Sequence, residues 1–215
     1  NIDAFINILE AARNYKIKDL VYASSSSVYG NNKKVPFSVS DSVDNHISLY
    51  AATKRADELM AYTYSYLFGI NTTGLRFFTV IGPYGRPDMA LMLFTSAISR
   101  GEAIKVFNFG KMKRDFTYID DIVEGILLAL EKTDGYQIFN LGNNKPVELE
   151  YFITCLEKEL GKTAKKNYLE MQAGDILETF ADIEHTKEVL GWEPKTSTEE
   201  AIKASVRWYK EYYGD

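Results

Sequence analysis

The chain has 215 residues, 46% hydrophobic and 26% charged, enough apolar material for one full domain or two small ones sharing a core and too much for disorder. Its net charge of −5 and pI near 5.2 argue against nucleic acid or an anionic membrane as partner, because phosphate backbones and anionic headgroups select basic faces. A single cysteine, Cys155, excludes a disulfide framework or thiolate cluster, and two distant histidines, His46 and His185, speak against a zinc site; with no signal segment and no apolar run near the ~20 residues of a membrane span, a cytoplasmic protein is expected.

Residues 1–13 place Phe5, Ile8, Leu9 and Ala12 at helical spacing, so the chain opens inside a helix. Asp19–Ala23 is a short apolar run that reads as a buried parallel strand, followed by a serine-rich turn, a helix over 49–68 and a strand over about 73–81. Residues 119–131 read as a helix with Ile122, Ile126, Ala129 and Leu130 inward, and 136–141 as another strand. A helix over 149–160 stops at Gly161, and Ser197 with Glu200 forms a capping box ahead of a last helix over 198–213. This alternation predicts an α/β fold: part of a Rossmann-type, doubly wound parallel sheet, with a smaller mixed α/β substrate domain. Residues 1–82 and 115–142 are assigned to the dinucleotide-binding portion, and 83–114 with 143–215 to the substrate portion. In such sheets ligands lie beyond the carboxyl ends of the strands.

The chemistry-bearing residues gather at those ends. Tyr50 and Lys54 stand one helical turn apart on the same face, and an ammonium beside a phenol favours the phenolate, so the pair suits proton transfer to and from a hydroxyl. With 15 tyrosines, about one such spacing arises by chance, and a solvated helix face is the bland alternative. Tyr29 and Lys33 share the spacing, but Gly30-Asn31-Asn32 between them reads as a turn. Ser24 to Ser27 follow the first strand and offer uncharged donors and acceptors, or simply a polar turn. Arg86, in a Gly/Pro-rich turn, and Arg114, ahead of a helix, suit anionic groups of a ligand or ordinary surface ion pairs.

Four ordered segments, Ala23-Ser-Ser-Ser-Ser-Val-Tyr-Gly30, Ser48-Leu-Tyr-Ala-Ala-Thr-Lys54, Leu75 through Ala90, and Arg114-Asp-Phe-Thr-Tyr-Ile-Asp-Asp-Ile122, resemble the extended short-chain dehydrogenase/reductase family and, within it, the UDP-glucuronate 4-epimerases. The resemblance implies NAD as cofactor, a UDP-hexuronic acid as substrate and a 4-keto intermediate. It implies Tyr50 as proton-transfer group, Lys54 as its electrostatic partner and ribose ligand, and Ser25 as the hydroxyl bridging the reacting oxygen. Ser26 and Ser27 would meet the carboxylate, Phe77 the nicotinamide, Thr79 and Arg114 the diphosphate, Val106 and Phe107 the uracil, and Asp175 the nucleotide ribose. A 4-keto uronic acid is a β-keto acid and loses CO₂ when its carboxylate stands perpendicular to the carbonyl, so Arg86 with Ser26 and Ser27 is expected to hold that group elsewhere. A homodimer paired through helices 2–15 and 49–68 is also implied, although Ala52, Ala56, Leu59, Met60 and Thr63 suit an internal core equally. The alternatives are a UDP-glucuronate decarboxylase, a UDP-N-acetylhexosamine 4-epimerase, or an inert fragment that only dimerises or holds UDP-sugar. A 4,6-dehydratase lacks its carboxylate pair, since Ser26 and Ser27 occupy those places, and Gln172 weakens a neutral-sugar assignment. Family members open with a Gly-rich turn for the cofactor pyrophosphate, and no G-x-x-G-x-x-G occurs here. About 100 residues of a Rossmann half-sheet are thus expected to be absent, and if Asn1 is the true start the 215 residues alone are expected to be inactive.

Overall fold

The computed structural model describes residues 1–171 and 177–214. Helix α1 (Ile2–Asn14) leads to strand β1 (Asp19–Ala23), a one-turn 3-10 helix (Ser26–Tyr29), helix α2 (Leu49–Phe68) and strands β2 (Asn71–Phe77) and β3 (Thr79–Ile81). Helix α3 (Ala90–Ser99), strands β4 (Ala103–Phe107) and β5 (Lys113–Tyr118), helix α4 (Ile119–Glu131), strand β6 (Tyr136–Leu141) and strand β7 (Pro146–Glu148) follow. The chain closes with helix α5 (Leu149–Leu160), strands β8 (Lys165–Leu169) and β9 (Glu178–Thr179), and helices α6 (Glu184–Leu190) and α7 (Thr198–Tyr213).

Strands β1, β2 and β6 form a parallel sheet in that order, with β2 central and its five inner residues buried, as expected of a strand covered on both faces. A second sheet joins β3, β5 and β7, with β9 also on β5, and a third pairs β4 with β8 in parallel. The single strand expected over 73–81 is therefore two. At Phe78 the chain leaves β6, its N–H still bonded to the Leu141 carbonyl, and Thr79 takes up pairing with Phe116 on β5. No proline or turn residue marks the break between Phe77 and Thr79, so the sequence conceals the change of partner.

Caps bound the helices as their sequences require. Ser48 accepts the Ala51 N–H at the start of α2, Gly69 closes it in the left-handed conformation, and the Ser197–Glu200 capping box opens α7. On α4, Ile122 and Ala129 are buried, but Leu130, expected inward, is half exposed. It lies a further ~100° round from Ala129 and shares a solvent row with Val123 and Leu127.

One apolar cluster, including Val28, Leu75, Phe139 and Trp192, underlies the parallel sheet, and another, including Ile98, Val106, Phe152 and Ile202, joins α3, α5 and α7 to β4. The wholly buried Asp115 carboxylate ties β5 to two other segments by accepting the N–H groups of Asn143 (2.5 Å), Asn144 (3.0 Å) and Ala181 (3.0 Å). Burial pushes its carboxyl up, and these three amides pull against that shift without cancelling it. Among the described residues no helix is long and apolar enough to cross a membrane.

Candidate active site

Helix α2 runs back from its Ser48 cap past the carboxyl end of β1, and its first three turns carry Tyr50, Lys54 and Glu58 at intervals of four, on one face. Tyr50 is 50% exposed, a phenol presented to solvent rather than to the core. The Lys54 ammonium donates to the Ala23 carbonyl at 2.9 Å, the last residue of β1, and lies 3.5 Å from the Asp57 carboxylate. The Ala23 carbonyl takes one of its three N–H donors and the Asp57 carboxylate attracts another, which among the described residues leaves a donor for a ligand hydroxyl. Asp57 is almost wholly buried; burial pushes its carboxyl up while Lys54 pulls it back.

The serine turn packs against α2. Ser25 is buried, accepts the Ser27 N–H at 3.2 Å and donates to the Ser27 hydroxyl at 3.1 Å, while Ser26 is half-buried and Ser27 exposed. Gly30 ends the turn at φ +59, where any side chain would also collide with the Asn45 carbonyl. Tyr29 lies inside the protein, its hydroxyl donating to Asn140 at 2.6 Å, so it shares no helix face with Lys33.

Behind the turn is a buried polar group not anticipated from the sequence. Glu58, fully buried, accepts the Ser24 hydroxyl at 2.6 Å, Arg76 through both Nε (2.8 Å) and Nη2 (2.9 Å), and Arg55 at 2.9 Å. Burial pushes the Glu58 carboxyl up, but Arg76, Ser24 and Arg55 together hold it below the ordinary range. Arg76 also lies over the Tyr29 ring, 4.9 Å from its centroid. The sequence signal for this group is the extension of the Tyr50–Lys54 spacing by one more turn to an acidic residue.

Beyond β3 a cleft of about 580 Å³ opens between α3, β4 and β5. It is lined by Thr79, Leu93, Phe107, Met112 and Arg114 among mainly apolar neighbours, so three of the expected nucleotide residues meet there. Arg114 donates to the Lys113 carbonyl at 2.9 Å. Val106, expected beside the uracil, is fully enclosed in the core beneath and does not line the cleft, because alternation along β4 turns its side chain inward. Phe77 ends β2 half-buried. Asp175, like Gln172, lies outside the described residues.

Arg86 is exposed and forms a bidentate pair with Asp88 at 3.1 and 2.5 Å. The Asp88 carboxylate beside it pushes the Arg86 guanidinium further up from its ordinary value. The loop carrying it is braced by Tyr84, in left-handed conformation at φ +58, whose ring meets Trp208 of α7 at 4.9 Å.

A parallel sheet flanked by helices, with a phenol and an ammonium projecting at the carboxyl end of one strand and a nucleotide-sized cleft beside them, defines a Rossmann-like protein of the extended short-chain dehydrogenase/reductase type. Residues 1–142 match the model of the NAD dependent epimerase/dehydratase family, and the chain belongs to that family. It is 47% identical to UDP-glucuronate 4-epimerase 4 of Arabidopsis thaliana over 99% of this chain and 53% of that one. The UDP-glucuronic acid 4-epimerase from Bacillus cereus, solved with UDP-glucuronic acid and NAD, superimposes with a TM-score of 0.88 at 33% identity, covering 99% of this chain and 68% of that one. The UDP-glucose 4-epimerase from Thermotoga maritima, solved with UDP-glucose, gives 0.92 at 30% identity, covering 97% and 69%. The chain spans between 53% and 69% of the length of the curated relatives it matches.

Proposed function

We propose that the protein of which these residues are part is an NAD-dependent UDP-sugar 4-epimerase, acting on UDP-glucuronate to give UDP-galacturonate. The observation that carries this reading is Tyr50 presented to solvent one turn from Lys54, with Lys54 anchored on the Ala23 carbonyl beside the serine turn. The free donor of Lys54, the exposed phenol and half-buried Phe77 fit the nicotinamide-ribose half of NAD, and the cofactor when bound supplies the hydride acceptor and donor. Tyr50 Oη takes the proton of the sugar C4 hydroxyl and later returns one, with Ser25 hydrogen-bonded to the same oxygen. Lys54 stabilises the phenolate by its charge. Arg86, on releasing Asp88, holds the sugar carboxylate with Ser26 and Ser27, which keeps that bond out of the perpendicular geometry in which CO₂ departs. Thr79 and Arg114 meet the diphosphate and Phe107 the uracil, with Val106 buried in the core beneath.

The protein works as a cytoplasmic homodimer in nucleotide-sugar metabolism that feeds polysaccharide biosynthesis, with residues 1–82 and 115–142 as the dinucleotide portion and the rest as the substrate portion. Half-exposed apolar residues on α1 and α2, among them Ile8, Leu59 and Tyr62, support the dimer. A neutral UDP-hexose or UDP-N-acetylhexosamine is the second reading, supported by the Thermotoga maritima neighbour and by a UDP-N-acetylglucosamine 4-epimerase from Methanobrevibacter ruminantium at 29% identity and TM-score 0.90. The test is to incubate the full-length protein with NAD and UDP-glucuronate and follow products by NMR. UDP-galacturonate is expected; a UDP-pentose with CO₂, or turnover confined to an uncharged UDP-sugar, overturns the uronate assignment.

A further inference from the structure

The serine turn is gripped at both ends by one buried ion pair. At its start, Ser24 bonds to Glu58 at 2.6 Å and through its N–H to the Leu75 carbonyl at 2.8 Å; at its end, the Tyr29 ring lies under the Arg76 guanidinium. Glu58 and Arg76 meet each other through two parallel bonds, and Arg55 completes four donors on two carboxylate oxygens, which fills the hydrogen-bonding capacity of Glu58. Tyr29 is in turn fixed by Asn140, whose amide reaches the carbonyls of Phe37 and Asp182. Ser25 to Ser27 are therefore suspended between two anchors that share a single charge pair.

Glu58 sits on the helix face that carries Tyr50 and Lys54. Lys54 fixes the Ala23 carbonyl and Glu58 fixes Ser24, so consecutive residues of the strand end are bolted to consecutive turns of α2. A rotation or slip of α2 relative to the turn would have to break both. A buried ion pair seldom outperforms apolar residues of equal volume in stability, so stability alone gives little reason for it to be here.

We propose that Glu58 and Arg76 are positioning residues, which set the distance between the Ser25 hydroxyl and the Tyr50 phenol by clamping the serine turn to α2 at both ends. The inference rests on the epimerase reading, and neither residue is assigned any contact with sugar or cofactor. Since Thr79, Phe107 and Arg114 lie in a separate cleft over a separate apolar cluster, loosening the clamp is expected to affect the chemical step and to spare nucleotide binding.

The test uses the full-length protein and whichever UDP-sugar the wild type epimerises; absence of any turnover by the wild type sinks the epimerase reading, and the clamp with it, before a variant is made. The double substitution Glu58→Leu with Arg76→Met removes both charges together. Its kcat is expected to fall by about tenfold to a hundredfold, the scale on which misplacing a reacting group costs rate, while the UDP dissociation constant from calorimetry stays within about twofold. Ser24→Ala removes one hydroxyl and leaves the ion pair; a fall in kcat of about threefold to tenfold with unchanged UDP affinity is expected, about what one hydrogen bond is worth. A folded double variant with kcat within about twofold of wild type overturns the clamp, as does a loss of UDP affinity in proportion to kcat, which marks general slackening instead. Should the double variant not fold, Ser24→Ala decides alone: full kcat overturns the proposal.

Discussion

The two ends of the site are built from different materials. Around the carboxyl end of β1 the interior is polar, with Ser24, Glu58, Arg76, Tyr29 and Asn140 all buried and bonded to one another. Around the cleft between α3 and β4 the interior is mainly aliphatic and aromatic, with Phe152, Ile153 and Leu156 fully buried and Thr95, Asp115 and Ser205 as buried polar exceptions. Hydrogen bonds fix directions and apolar packing fixes volumes, so the first end is suited to holding a hydroxyl against a phenol and the second to accepting a flat base and a diphosphate. Changes at the first should be read in rate, and changes at the second in stability and affinity.

The sharpest attempt to break that division is Tyr50→Phe. Loss of proton transfer is expected to lower kcat by about 10²- to 10⁴-fold, with UDP affinity unchanged by calorimetry. At the other end, Phe152→Ala is expected to cost about 3–5 kcal/mol in denaturant unfolding while kcat per folded molecule stays near wild type; a large loss of kcat there would erase the distinction. Arg114→Ala is expected to weaken UDP binding by about 1.5–3 kcal/mol with a smaller effect on kcat, as for a lost hydrogen bond to a charged group.

The smallest expected effect concerns acid. Glu58 is held below its ordinary value of 4.5, so the folded form binds its proton less readily than the unfolded form does. Its contribution is complete above that value and is lost as pH falls through the lower folded value. Glu58→Gln should therefore flatten the fall of melting temperature below about pH 4.5, whatever it does to stability at neutral pH. An unchanged acid limb would mean that the carboxylate is not held ionised by Arg76.

Much of the first end was legible in advance. α1, α2 and α4 announce themselves through apolar periodicity, as α5 and α7 do at the second end, and the Tyr50–Lys54 spacing stands out because only that pair lies on a helix. Less of the second end was. β4, β5, β7, β8 and β9 are short, and β8 reads Lys-Lys-Asn-Tyr-Leu, in which no alternation separates a strand from a loop. Asp115 within β5 looks like a surface acid until the amides of Asn143, Asn144 and Ala181 converge on it from distant segments. The same holds for Arg76: its partner is 18 residues away on another element, and a local pattern carries no information about which buried charge meets which. The division of residues 73–81 between two sheets is likewise decided by neighbours that a linear reading does not contain.

The contact between Tyr84 and Trp208 has a practical bearing. The loop bearing Arg86 leans on α7, so the placement of that arginine depends in part on a helix far from it in the sequence. Substitutions at Trp208 or beside it on α7 are expected to displace the Arg86 loop before they alter folding, so a change there can be mistaken for a change at the loop itself.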